Sequence, residues 1–203
     1  IGCLIGEVEK NKLITTSGAK VNDDILITKH IGLEGTSILA NDIKSKKTKI
    51  NPTIINNAIK FIYNPGISIM KESQIAIKSK NVSSMHDPTE GGLITGLEEL
   101  AMASNNGLYI NAEKIPIKNE TQLICNELNL NPLGLISSGS LIITCDSQYS
   151  NTLIKKITSA GINVNKIGKI TAKDKGLKLK IKDKVENFPK FERDEIARYF
   201  ESK

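Results

Sequence analysis

The sequence is poor in aromatic residues: they make up 4% of its 203 residues, and tryptophan is absent. It contains no run of about 18 or more apolar residues, so it predicts no membrane-spanning helix. Its opening stretch, IGCLIGEVEK, lacks a basic region followed by a long apolar segment, which argues against a signal peptide. We therefore expect a cytoplasmic protein with no membrane partner.

Cysteine and histidine are also scarce. Cys3, Cys125 and Cys145 are odd in number, far apart and free of any CxxC spacing, which argues against a disulfide framework or a zinc site. His30 and His86 each lack a neighbouring cysteine or second histidine, so a structural role is favoured and no metal site is predicted. HExxH, GxxxxGK[ST] and Ser-His-Asp patterns are absent, so hydrolase and P-loop functions have no support.

The composition is that of an ordinary globular protein, with 39% hydrophobic and 25% charged residues. A chain of this length predicts one main domain with a substantial core. The sequence begins with Ile1, and Ile1–Val8 and Leu13–Thr16 are typical of short strands. We therefore expect residues 1–20 to be the end of a missing amino-terminal domain or linker strands, and residues 21–203 to form the domain itself.

Helices and strands are predicted to alternate along the chain. The predicted strands are Asp24–His30, Val82–Met85, Gly107–Ile110, Ser140–Cys145, Asn163–Ile170 and Leu177–Lys182. The predicted helices are Gly35–Lys46, Pro52–Ile62, Ile67–Lys80, Leu93–Ser104, Asn119–Leu128 and Gln148–Ala160. This pattern predicts an α+β fold, in which helices cover one mixed sheet.

The net charge of +6 is concentrated near the carboxyl end. Residues 166–190 hold nine lysines and three acidic residues, which accounts for the whole excess. We expect a hairpin here: Asn163–Ile170, a turn at Asp174–Gly176, and an edge strand Leu177–Lys182 with its lysines in water. No aromatic side chain alternates with those lysines, so nucleic acid is an unlikely partner and remains a minor alternative.

A glycine-containing loop joins a predicted strand to the clearest helix, in the segment MHDPTEGGL, residues 85–93. The first N–H groups of a helix lack internal partners and lie at its positive end, so this position favours a phosphate. Gly91 and Gly92 allow close approach to the backbone, while Asp87 and Thr89 supply polar groups. These four residues are predicted to bind phosphate; the alternative is a plain helix cap in a tight turn.

A second small-residue loop, LGLISSGS at residues 133–140, precedes a buried strand. Ser138 and Gly139, with Ser137 beside them, offer hydroxyl and backbone donors to a ligand. We include Ser138 and Gly139 in the predicted nucleotide site, although a turn without a ligand would use the same residue types.

Several segments resemble one superfamily. MHDPTEGGLITGLEELA resembles the DPTxGGL motif, and SGAKVNDDILITKHIGLEGTSILA, SSGSLIIT and Gly168-Lys169-Ile170 resemble further segments in order and spacing. Together they are similar to the carboxy-terminal domain of the aminoimidazole ribonucleotide synthetase and hydrogenase maturation factor HypE superfamily. The resemblance implies ATP and Mg²⁺ as cofactors, a homodimer, and a nucleotide site shared with a preceding domain that binds most of the Mg²⁺–ATP. The isolated chain is then expected to be inactive.

Two departures from that superfamily limit the functional prediction. The chain ends at Lys203 instead of the cysteine that carries the substrate group in HypE, and Glu90 replaces the usual arginine beside the glycines. We therefore assign no catalytic residue. The leading hypothesis is that the chain is a domain of an ATP-dependent enzyme. The alternative is a non-catalytic module of the same fold for dimerisation or partner binding.

Overall fold

A computed structural model describes residues 3, 5–79 and 81–201. The strands are β1 (Asp24–Thr28), β2 (Val82–His86), β3 (Gly107–Asn111), β4 (Ile142–Cys145), β5 (Val164–Thr171), β6 (Leu177–Ile181) and β7 (Lys184–Asn187). The α-helices are α1 (Leu33–Ile43), α2 (Pro52–Ile59), α3 (Met70–Ile77), α4 (Gly92–Ser104), α5 (Asn119–Glu127), α6 (Ser150–Ser159) and α7 (Glu195–Glu201). Among these described residues no helix is long and apolar enough to cross a membrane.

The strands form one sheet in the order β2-β4-β1-β5-β3-β6-β7. Its neighbouring strands are antiparallel except β3 and β6, which are parallel. With helices packed on this sheet, the α+β prediction is confirmed. The helix bounds are shorter than predicted at several ends, while α7 and β7 were not predicted at all.

Central strand β1 is buried at every position because helices cover both faces of the sheet there. Ile25 and Ile27 pack into a core with the apolar residues of α4, among them Leu97 and Leu100. Leu26, which points to the opposite face, belongs to a second core with residues of α3 and α6. A third cluster joins α1, α2 and α5.

The predicted hairpin between β5 and β6 is wrong, because β3 lies between these two strands. Leu108 and Ile110 of β3 pair with Leu177 and Leu179 of β6, and all four contribute to the core that contains α4. The connection crosses the start of β3 at Gly107, where an added Cβ would lie 2.5 Å from the Ala172 carbonyl oxygen. The exposed edge strand is therefore β7, not β6.

The predicted amino-terminal strands are also wrong over the described residues. Residues 5–15 form no strand and Lys10–Lys12 and Thr16–Gly18 are short 3₁₀ turns, while Ile1, Gly2 and Leu4 lie outside the described residues. The side chain of Ile5 is 91% exposed, so it does not belong to a buried face of a strand in this chain. The assignment of residues 1–20 to a preceding domain stays a prediction.

Candidate functional site

The glycine loop, residues 87–91, connects β2 to α4. Helix α4 packs on the sheet through its buried residues Leu93, Ile94, Leu97 and Leu100. The loop is anchored by buried Pro88, which packs so closely on α4 that a Cβ added to Gly96 would lie 2.8 Å from the Pro88 Cβ. The sequence therefore places this loop rigidly at one end of β2.

Gly91 and Gly92 both have positive φ angles, of 75° and 66°. An added Cβ on Gly92 would lie 2.7 Å from the Leu135 carbonyl oxygen and 2.8 Å from that of Leu133. Glycine at position 92 thus lets the backbone of residues 133–135 approach the start of α4. This close backbone contact explains the residue without any ligand.

A carboxylate of the same chain already occupies the predicted anion position. Asp194, just before α7, accepts hydrogen bonds from the Gly91 N–H at 2.7 Å and from the Ile196 N–H at 2.7 Å. Burial raises the pKa of Asp194, although those N–H groups act in the opposite direction. Sequence reasoning missed Asp194 because it lies about a hundred residues from the loop and in no recognisable motif.

The remaining loop residues keep polar groups near the surface. The Thr89 carbonyl oxygen accepts from the N–H groups of Gly92 at 3.1 Å and Ser137 at 3.2 Å. A hydrogen bond from the Thr89 side chain lowers the pKa of exposed Glu90. Asp87 is exposed. Asp87 and Thr89 are therefore placed together where a ligand has access.

The second predicted loop touches the first through the Ser137 N–H. The Ser137 hydroxyl is buried and accepts from the Gly32 N–H at 2.9 Å, so it has a structural partner. Gly139 has a φ of 101° and an added Cβ would lie 2.8 Å from the Ile67 Cα. Ser138 is half-buried, and no described group hydrogen-bonds its hydroxyl. The two loops thus contribute Asp87 and Ser138 as polar groups open to a ligand, and the Thr89 hydroxyl joins them when it turns away from exposed Glu90.

A buried ion pair, also missed from the sequence, supports the second loop. The Lys29 Nζ lies 3.0 Å from Glu72 Oε1 and donates to the Gly139 carbonyl oxygen at 3.0 Å. Their side chains are 8% and 1% exposed. A carboxylate that neutralises a lysine at such depth leaves neither charge free for a ligand, so the pair fixes the loop and does not extend the site.

His86 has partners on both ring nitrogens. Nε2 lies 2.8 Å from Glu99 Oε2, and Nδ1 lies 3.3 Å from the Thr16 hydroxyl. Among the described residues no group of three or more His, Cys, Asp or Glu side chains could hold a metal ion. The residues that the structure describes therefore do not fit a Mg²⁺ site of their own.

These features define an α+β domain. Its glycine loop lies between β2 and α4 and contacts the second loop, residues 133–140. Residues 20–180 match the model of the family described as AIR synthase related protein, C-terminal domain. The chain belongs to this family.

Individual relatives agree with this membership. A putative hydrogenase expression/formation protein of Methanocaldococcus jannaschii is 31% identical over 180 residues, covering 85% of this chain and 49% of that protein. The crystal structure of Escherichia coli HypE, a hydrogenase maturation protein, has a TM-score of 0.74 at 18% identity and covers 96% of this chain and 57% of that one. HypE in complex with ATP has a TM-score of 0.68 at 18% identity, over 94% of this chain and 57% of that one. The chain spans about half the length of the curated relatives it matches.

Proposed function

We propose that this chain is the carboxy-terminal domain of an ATP-dependent enzyme of the AIR synthase and HypE superfamily. Three observations support the proposal: the family match over residues 20–180, an ATP complex among the structural neighbours, and a length about half that of the relatives. The rest of the nucleotide site then belongs to a preceding domain. The isolated chain is expected to bind nucleotide weakly and to turn over little substrate.

In this proposal the domain contributes Asp87, Thr89 and Ser138 to one side of the nucleotide site that it shares with the preceding domain. The Thr89 and Ser138 hydroxyls are suited to donate to phosphate oxygens, because a hydroxyl hydrogen reorients to meet an acceptor. Mg²⁺, which the superfamily implies as a cofactor, would screen the charge of the phosphates near Asp87. It would be held by the nucleotide and the preceding domain, since no described cluster here fits it.

The contact between Asp194 and Gly91 revises how the glycines take part. The Gly91 N–H is already hydrogen-bonded at 2.7 Å, so a phosphate reaches it only by displacing a carboxylate. We therefore assign phosphate contact chiefly to the hydroxyls. Gly92 acts by letting residues 133–135 of the second loop approach the start of α4.

Calorimetric titration of Mg²⁺–ATP into the chain tests this proposal. The double variant Thr89→Val, Ser138→Ala should bind about tenfold or more weakly, since a hydrogen bond to a charged group contributes roughly 1.5–3 kcal/mol. The matched control is Thr152→Val, Ser159→Ala, which changes the same residue types at exposed positions elsewhere. Equal loss in both variants would contradict the assignment, and no binding to the wild-type chain would mean either that the preceding domain supplies the affinity or that the module is non-catalytic.

A further inference from the structure

Among the described residues, the core on one face of the sheet includes helices over β1 and β4 but no residue of β3 or β6. Helices α3 and α6 share a core with Leu26 of β1 and Ile143 of β4, on one side of the sheet. On β3 and β6 the same side carries the residues that alternate with core-facing Leu108 and Ile110. Among them Tyr109 is 37% exposed, and Asn111, Lys178 and Lys180 are half-buried.

Strand register places lysines on both sides of Tyr109. Tyr109 pairs with Lys169 of β5 on one side and with Lys178 of β6 on the other. Asn111, two residues along β3, pairs with Lys180. Because neighbouring strands lie about 5 Å apart, cationic side chains flank the ring on both sides.

We name this surface the lysine–tyrosine face. Its residues are Tyr109, Asn111, Lys114, Lys166, Lys169, Lys178 and Lys180. Four of the five lysines lie in residues 166–190, the segment that carries the excess of positive charge.

Negative charge on the lysine–tyrosine face is limited and already engaged. Fully buried Asp24 lies 3.0 Å from the Lys166 Nζ and 3.6 Å from the Lys169 Nζ, so one carboxylate serves two lysines. Lys178 donates to the Asn187 side-chain oxygen at 2.8 Å, a neutral partner. The lysine–tyrosine face therefore keeps a positive excess that attracts an anion.

The shape of the lysine–tyrosine face favours an extended anion over a small one. Its depression, lined by Tyr109, Asn111 and four of the lysines, has a volume of about 220 Å³. Sites that enclose a small ligand usually measure about 300–1,000 Å³. A polymer lying across the sheet fits this shallow surface better than a mononucleotide held in a pocket.

We infer that the lysine–tyrosine face binds single-stranded nucleic acid. A base stacks on the exposed Tyr109 ring, while Lys166, Lys169, Lys178 and Lys180 contact the phosphates on either side. Aromatic stacking combined with a cationic track is how single strands are bound without sequence preference. An acidic protein would use the lysines equally but would have less need of a half-exposed ring at their centre. This arrangement was not predicted from the sequence, because Tyr109 is distant in the chain from the lysines that flank it in the sheet.

Fluorescence anisotropy of a labelled dT oligonucleotide, titrated with the whole chain at several salt concentrations, tests the inference. The wild-type chain should bind with a steep loss of affinity as salt rises, because lysine–phosphate contacts release counterions. Lys169→Glu, Lys180→Glu should lower the affinity at least tenfold. Lys44→Glu, Lys47→Glu, an exposed lysine pair at the end of α1, is the charge-matched control and should change it by less than threefold.

Tyr109→Leu separates nucleic acid from other polyanions, since leucine keeps an apolar side chain in β3 and removes the aromatic ring. This variant should bind the oligonucleotide about fivefold to a hundredfold more weakly, and inorganic polyphosphate with unchanged affinity. Wild-type-like oligonucleotide binding by Tyr109→Leu, or tighter binding of polyglutamate than of the oligonucleotide, would overturn the inference. So would the absence of oligonucleotide binding at low salt, or equal losses in the two lysine-pair variants.

Discussion

The glycine loop and the lysine–tyrosine face differ in how their charge is satisfied within the chain. At the glycine loop, where the sequence predicts a free anion site, Asp194 already bonds the Gly91 N–H. On the lysine–tyrosine face, whose β6 lysines were predicted to lie on a solvated edge, two of the five lysines share one buried carboxylate, Asp24. A sequence motif therefore shows which groups can bind a ligand, while the fold decides which of them remain open.

The largest expected effect comes from Gly92→Ala, which tests whether the loop glycine serves backbone packing. Its Cβ would meet carbonyl oxygens at 2.7–2.8 Å with φ at 66°, so we expect a loss of roughly 3–4 kcal/mol in the free energy of unfolding. Gly161→Ala is the control, because φ is 81° there but no atom lies within 4 Å. It should lose only about 1–2 kcal/mol. Urea denaturation of the two variants measures both, and equal losses would contradict the packing role.

The next effect concerns Asp24, the carboxylate below the lysine–tyrosine face. Asp24→Ala should destabilise the chain by roughly 3 kcal/mol, because a buried partner of two lysines and of the Ser150 hydroxyl is lost. Asp24→Asn, which keeps an acceptor for Ser150, should lose less. If thermal and urea unfolding show that Asp24→Asn is as stable as the wild-type chain, the charge of Asp24 does not hold these lysines.

A smaller effect is expected from Asp194. Because burial raises its folded-state pKa above the ordinary value of 3.8, the folded chain holds the proton more tightly than the unfolded chain. Its contribution to stability is therefore fully present below that ordinary value and is lost as pH rises through the folded-state pKa. Asp194→Asn should remove this component from a urea-denaturation series over pH, and Asp194→Ala should also lose about 1 kcal/mol of capping. An unchanged pH profile in Asp194→Asn would contradict the assignment.

The smallest expected effect is that of Lys169→Met. The Lys169 side chain is 56% exposed and its nitrogen lies 3.6 Å from Asp24, so its removal should change the free energy of unfolding by less than about 1 kcal/mol. Thermal unfolding checks this. A loss of several kcal/mol would mean that the lysines are needed for the fold and are not available to a ligand.

Local sequence patterns predicted most helices and strands but not which strands are neighbours in the sheet. The apolar spacing of Leu93, Leu97 and Leu100 was enough to predict α4, because one helix face packs on the sheet. The place of β6 depends on a crossing at Gly107 that leaves no periodic signal. The amino-terminal strands were predicted from apolar residues that stay exposed in the described part of the chain.

Functional residues were predictable only where they share one loop. Asp87 and Thr89 belong to one motif, and the fold places Thr89 against the second loop through Ser137. The contact of Asp194 with Gly91 and the place of Tyr109 between two lysine-bearing strands both arise from distant parts of the chain. The homodimer stays a prediction.

The most direct test of the two-region account is a ¹H–¹⁵N NMR titration of the same chain with Mg²⁺–ATP and, separately, with a dT oligonucleotide. Mg²⁺–ATP should shift amide resonances of residues 87–92 and Ser138, and the oligonucleotide those of β3, β5 and β6. Shifts of the same residues by both ligands, or none with either, would contradict the account.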